Sequence, residues 1–468
     1  MEKWIMNKRI NHAFLSNLCI LLFILLATGC AGSGGGGNDV AEDEVNPQEI
    51  AEWCRVDVLT AEITGPEKTA YTLGETFTLT GWGKDPTIGC IEDKANEYLI
   101  WTADPYGQIG EGTSVDVETA DAPPGNYVIT LTVSNKAGET ATDTITIELR
   151  EPSAVLDPEK FGSVQAAVDN ALPGEIIQLE AKTYEESIMV RGEDITIQGQ
   201  GSGSTVLRSD GTVPVISISS MIGTSMNLTI RGLTIENGHT GIEFVRADNL
   251  TLEDCLIKGN RENGIFTMDA NGLTIRECTI MSNGQSGIYL NRSEATISNS
   301  RIAANGRDGI AIASSDAAIS NSIVNSNSRL GIYITSGTPL EDGTLPISSA
   351  SISYCTVGSN SGGGIYVYQD AGPSSIEKSI LSLNSLSGIT QVNASGLSLD
   401  KILFWQNNCD WSNAGECQFD FNPVNSVAGK DPLYVDGTNY DFHLKSGSPG
   451  LTEFGEQIGA YGNGGTPP

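Results

Sequence analysis

Three acidic residues recur at one spacing. Asp248, Glu294 and Asp316 each stand seven residues after the Gly of a Gly-Ile pair, with Asn271 between the first two. If the repeat stacks as parallel strands, such carboxylates lie about 4.8 Å apart, where mutual repulsion raises one pKa or recruits a hard cation such as Ca²⁺. A separation of one strand also suits retaining glycoside hydrolysis, and two strands the inverting reaction. Elimination or epimerisation instead needs a base beside a neutralised carboxylate, for which Arg292, Arg246 and Tyr289 are the nearest groups. The competing reading is a solvated acidic rim. A second column follows each Gly-Ile pair: Glu243, Phe266, Tyr289, Ala311, Tyr333, Tyr366 and Thr390, with Tyr368 two residues further on. Spaced by one or two strands on an outward face, Phe266, Tyr289, Tyr333, Tyr366 and Tyr368 are candidates to stack on successive sugar rings. Aromatics also decorate sheets simply because they pack well across strands.

Other reactive side chains have structural explanations. Arg261, Arg307 and Arg329 fall in a turn where ion pairs with Glu262 or Asp308 are expected, and His239 is a turn residue with no evident partner. Cys255, Cys278 and Cys355 share a slot with Ser and Gly, which makes them small core fillers. Cys54 with Cys90, and Cys409 with Cys417, are disulfide candidates.

The elements that hold these residues come from a repeat. Gly-Ile pairs begin at Gly241, Gly264, Gly287, Gly309, Gly331, Gly364 and Gly388, at intervals of 23, 23, 22, 22, 33 and 24. Four residues before each Gly stands an Asn: Asn237, Asn260, Asn283, Asn305, Asn327, Asn360 and Asn384, with Asn407 continuing the series. A unit of this length that cannot bury its own face stacks into a solenoid. Three short β-rich stretches per unit and no helix-length segment make it a parallel β-helix of about ten coils. The Asn residues are expected to form a ladder and to take the left-handed backbone of the turn themselves. The long interval places a protruding loop at Ser336 to Pro346. An outward apolar column, Leu256, Ile323, Ile380 and Leu403, awaits a cover such as the preceding domain or a partner. Phe161, Val164, Val168 and Leu172, at helical spacing after Ser163, predict a short helix at the start of the solenoid.

The rest of the chain is organised around that coil. Its 468 residues include 54 Gly, only 18% are charged, and the net charge is −32, which favours short strands and disfavours nucleic acid as a partner. Lys3, Lys8 and Arg9 precede an apolar run too short to span a bilayer, so residues 1–29 are expected to be an export signal. Residues 30–52, Gly-rich and then acidic, read as an extended tether. Residues 53–150 show period-2 strands with regular turns, the pattern of a β-sandwich with Trp101 in its core.

Three resemblances add to this reading. Leu26-Ala27-Thr28-Gly29-Cys30 resembles the lipobox of bacterial lipoproteins, which implies lipid attachment at Cys30, and Ala31 after it resembles an outer-membrane address. Pro124-Gly125-Asn126-Tyr127 running into Val133-Ser134-Asn135-Lys136 resembles the polycystic-kidney-disease-type (PKD), immunoglobulin-like domains of bacterial surface proteins, which serve as spacers or adhesion modules. Residues 155–425 resemble the right-handed β-helix proteins of pectin-lyase-like architecture, through Val164-Gln165-Ala166-Ala167-Val168, Gly174-Glu175-Ile176-Ile177-Gln178-Leu179 and Ile195-Thr196-Ile197-Gln198-Gly199. Residues 426–468, including His443, resemble the closing segment of such proteins. The fold class is therefore all-β: a right-handed single-stranded parallel β-helix preceded by a small Ig-like sandwich. That architecture hosts lyases, hydrolases, esterases, epimerases and adhesins, so it implies a polysaccharide partner without deciding between binding and catalysis. The reading favours a lipid-anchored surface protein that binds glycan, with calcium as a candidate ion; the alternative is a polysaccharide lyase, hydrolase or epimerase.

Overall fold

The computed structural model describes residues 56–468 apart from 88, 92–97, 152–153, 193, 220–225, 338–345, 369–370, 394–395, 415, 419–424 and 440. Cys30 and Cys54, the export signal and the tether lie outside the described residues. The chain divides into two compact units after Glu151.

In the first unit, alternating sequences bury every second residue, from Phe77 to Asp85 in Thr76–Asp85 and from Ile129 to Val133 in Gly125–Ser134. Two sheets result, one of four strands and one of five. Phe77 and Leu79 of the first share a core with Trp101, Leu131, Val133 and Ile147 of the second. Trp101 is fully buried, and its indole Nε1 donates to the Gly112 carbonyl at 2.8 Å, which removes the cost of burying that donor. Pairing is antiparallel except where Ala70–Thr72 runs parallel to Thr140–Arg150. Cys90 is disulfide-bonded.

The second unit is the β-helix. Three sheets of 11 strands each run its length, one coil more than expected. A typical coil contributes Leu273–Arg276 to the first sheet, Thr279–Met281 to the second and Ile288–Asn291 to the third. Inward residues stack on their own kind: Leu252, Ile275, Ile297 and Ile319 in the first sheet, and Ile265, Ile288, Ile310 and Ile332 in the third, all essentially unexposed. At the N-terminal end the predicted helix, Val164–Asp169, is capped by Ser163, whose Oγ accepts from the Ala166 N–H at 3.0 Å. Its Val164, Ala167 and Val168 join the solenoid core.

Most corners of the regular coils use the same device, a residue with positive φ followed by a small or polar residue turned inward, as at Glu277–Cys278, Arg292–Ser293 and Ser282–Asn283. The corner between second and third sheets carries the ladder. Asn260, Asn283, Asn305, Asn327, Asn360, Asn384 and Asn407 are linked by successive amide bonds, Nδ2 to Oδ1, of 2.9 to 3.1 Å. These Asn residues do not themselves take the left-handed backbone expected of them. The preceding residues do: Gly259, Ser282, Ala304, Ser326, Ser359, Leu383 and Gln406. That frees each Asn side chain to point inward and meet the next. Asn237 also departs from expectation. It has φ 61° and lies opposite Gly259, while Gly238 occupies the first ladder slot and donates its N–H to Asn260 Oδ1 at 2.8 Å. The turn there is one residue shorter, so counting back from Gly241 lands one position early.

The recurrent Gly of the Gly-Ile pairs has a packing reason. A Cβ on Gly264 would lie 2.7 Å from the Gly287 carbonyl oxygen and 2.8 Å from the Asn283 amide nitrogen, so only Gly fits beneath the ladder.

The tail covers the second sheet. Tyr434, Phe442, Ile458 and Ala460 form one apolar cluster with Ile323, Ile380 and Leu403. The cover expected from another domain or a partner is thus the chain's own closing segment, and Leu256, further up the column, stays half-buried. The Glu456 carboxylate pins the segment, lying 2.5 Å from Lys401 Nζ, 3.5 Å from Lys378 Nζ and 2.9 Å from the Tyr354 hydroxyl. His443 stacks on Tyr461 at 3.7 Å with its Nδ1 2.6 Å from Asp441, a structural role within the tail. The last strand of the third sheet, Glu416–Cys417, turns back antiparallel on Cys409–Asn413, and Cys409 and Cys417 are bonded as expected.

Candidate functional site

The outward column of the third sheet forms in the predicted register. Glu243 pairs with Phe266, Phe266 with Tyr289, Tyr289 with Ala311, Ala311 with Tyr333, Tyr333 with Tyr366 and Tyr366 with Thr390. Four strand steps separate Phe266 from Tyr366, about 19 Å along the axis. Phe266 and Tyr289 stack with centroids 5.7 Å apart and planes 10° apart. Beyond Ala311 a second group forms: Tyr366 meets Tyr333 edge-on at 5.8 Å and lies against Tyr368 at 6.3 Å. The four sheet rings are half-buried and Tyr368 is exposed, so each ring keeps an accessible part. Burial, with neighbouring Tyr333 and Tyr368, raises the Tyr366 hydroxyl above its ordinary range, keeping it a neutral hydrogen-bonding group.

A second layer supports the tyrosine group. Arg329 Cζ lies 4.8 Å from the centre of the Tyr333 ring. The guanidinium is held by Asp308, 1% exposed, with Nε donating to Oδ1 at 2.7 Å and Nη2 to Oδ2. The Leu330 N–H donates to the same carboxylate at 3.2 Å, and Arg307 Nε lies 3.8 Å from it. Asp308 hydrogen bonding raises the Arg329 pKa further, so the cation is permanent. The ion pair with Asp308 was legible in the sequence; the stacking of Arg329 on Tyr333 was not, because it joins the turn of one sheet edge to the face of the strand.

The carboxylates also fall into line, around the corner on the first sheet. Asp248 bridges to Asn271, Glu294 pairs with Asp316 and Asp316 with Ser349. The Asn271 amide donates to Asp248 at 3.2 Å and the Ser349 hydroxyl to Asp316 at 2.5 Å. Glu294 and Asp316 are exposed. Among the described residues no group of three or more His, Cys, Asp or Glu comes together as a metal site, so Asp248, Glu294 and Asp316 form a row without converging. Arg292, with φ 47°, is committed to a corner ion pair, its Nε 2.5 Å and Nη2 2.8 Å from the Asp269 carboxylate. That pairing holds the Asp269 carboxyl below the usual range. His239, for which no partner was expected, lies 3.6 Å from Glu262 Oε1. Ser336 and Pro346 flank the predicted loop, most of which, residues 338–345, lies outside the described residues.

Comparison with known proteins supports the fold. Residues 193–345 match the family model described as the right handed beta helix region. The second unit is a right-handed parallel β-helix. Similar solved structures include an alginate lyase from Paenibacillus sp. str. FPU-7, 15% identical over 59% of this chain and 99% of its own, with a TM-score of 0.37. A pectin methylesterase from Yersinia enterocolitica is 11% identical over 56% and 94%, TM-score 0.30. A Family 28 exopolygalacturonase from the same organism is 10% identical over 80% and 100%, TM-score 0.27. At these values the likeness says nothing of reaction or substrate. No curated protein matches the chain.

Proposed function

We propose that this chain is an exported surface lipoprotein whose third-sheet face binds glycan. The carrying observation is the aromatic column, four rings in register over about 19 Å with Tyr368 beside the last, each with an accessible part. A sugar ring offers an apolar face to Phe or Tyr and hydroxyls to the phenol rims, and the axial repeat of the column suits an extended chain. The export signal over residues 1–29, lipid at Cys30 and the tether of residues 30–52 belong to this proposal, with the sandwich as a PKD-like spacer and the outer membrane or cell surface as the location. Glycan-array binding by the chain, lost in Tyr289→Ala and Tyr333→Ala, is the expected result. Undiminished binding by both variants removes the platform. Metabolic labelling with palmitate, abolished by Cys30→Ala, tests the anchor.

A second reading rests on Glu294 and Asp316, one coil apart, the separation that retaining glycoside hydrolysis uses. It expects reducing ends from neutral glycans or polyuronates, abolished by Glu294→Gln or Asp316→Asn. Turnover that survives both substitutions discards it.

A further inference from the structure

The geometry points to Asp308 as a positioning residue for the glycan platform, acting on the Tyr333 ring through Arg329; this rests on the glycan-binding reading above. Asp308 cannot itself touch a ligand, because it is almost wholly buried and both its oxygens are occupied by Arg329. Its position is fixed from behind by the Leu330 N–H at 3.2 Å. The bidentate pair fixes the plane of the guanidinium as well as its place, since the two parallel donors of the Arg fork leave little rotational freedom. Its Cζ sits over the Tyr333 ring, 4.8 Å from the centroid, and Tyr366 meets Tyr333 edge-on at 5.8 Å. Arg329 and Tyr366 therefore both pack on the ring. An exposed Tyr ring free to rotate loses side-chain entropy when a sugar docks, whereas a clamped ring has lost it on folding. The other stacked pair, Phe266 with Tyr289, is clamped by its own parallel overlap at 10°. Across the Ala311 gap the tyrosine group, tilted at 65°, needs the arginine to hold its first ring.

Two measurements test this. In the absence of any glycan, the Tyr333 ring resonances of ¹³C-tyrosine-labelled protein, assigned by their loss in Tyr333→Ala, are expected to shift in Asp308→Asn and in Arg329→Met. Unmoved resonances in both, with the fold intact by circular dichroism, overturn the inference whether or not a glycan binds. With laminarin, xylan, polygalacturonate and alginate as probes, whichever wild-type protein binds is expected to be held about five- to tenfold more weakly by Asp308→Asn. The Asp308→Asn and Tyr333→Ala losses should combine to no more than the Tyr333→Ala loss alone, because they act on one contact. Additive losses overturn the positioning role while leaving the platform standing. Binding indifferent to Tyr333→Ala instead removes the platform.

Discussion

The second and third sheets are built from the same repeat and share the same ladder corner, yet their outward faces have opposite fates. On the second sheet the outward column runs Leu256, Thr279, Arg301, Ile323, Thr356, Ile380 and Leu403, and its aliphatic members Ile323, Ile380 and Leu403 are covered by Phe442, Tyr434 and Ile458 of the tail. On the third it is aromatic, and among the described residues the rings pack chiefly on one another. An aliphatic side chain has only apolar surface and gains by full burial, whereas a tyrosine ring keeps a polar rim in water at little cost. The face that the chain covers for itself is a stability device. The face left with half-buried rings is the one available to a ligand.

The contrast breaks first on the covered side. Phe442→Ala should cost about 3–5 kcal/mol, confined to the tail, and limited proteolysis should release residues 430–468 while the solenoid core resists. A rung beneath both faces provides the control: Asn327→Ala strands the Asn305 donors and removes one of the two N–H groups that reach Asn360 Oδ1, and should lower stability by about 3 kcal/mol with both faces affected alike. On the aromatic side, Tyr289→Ala should change stability by less than about 1 kcal/mol in denaturant melts, since the ring is half-exposed, while weakening glycan binding about tenfold. Smallest is a pH effect. Lys401 and Tyr354 hold the Glu456 carboxyl below the usual range. A depressed native pKa means the contribution of Glu456 is complete above the unfolded value, about 4.3, and is lost as pH falls through the lower native one. Proteolytic release of the tail should therefore rise below about pH 4 in the wild type, and Glu456→Gln should flatten that component.

Most of the solenoid was legible because repetition supplies its own alignment. Gly264 and Asn283 are forced by contacts that recur every coil, so the spacing of Gly and Asn reports the fold directly. The register of Tyr289, Tyr333 and Tyr366 followed from it. Reading failed where the repeat is locally broken. Gly238 replaces Asn237 in the ladder because one turn is a residue short, and a pattern anchored at Gly241 cannot register that. It failed also where non-repeating sequence meets the coil: nothing in Tyr434 or Phe442 names Ile380 as its contact. The left-handed position was assigned to Asn on intrinsic preference, but the inward hydrogen bond claimed the Asn and passed the strained backbone to residues as unsuited as Leu383.

The reversal at Glu416–Cys417 bears on why the molecule has a finite length. A column of parallel strands at a constant repeat, with unpaired backbone groups along its last strand, is chemically a template onto which another identical chain could add, as in amyloid. Turning the final strand of the third sheet backwards, and tying it to Cys409, presents an arriving parallel strand with the wrong polarity on that side. The short hairpin thus works against end-to-end addition along that edge.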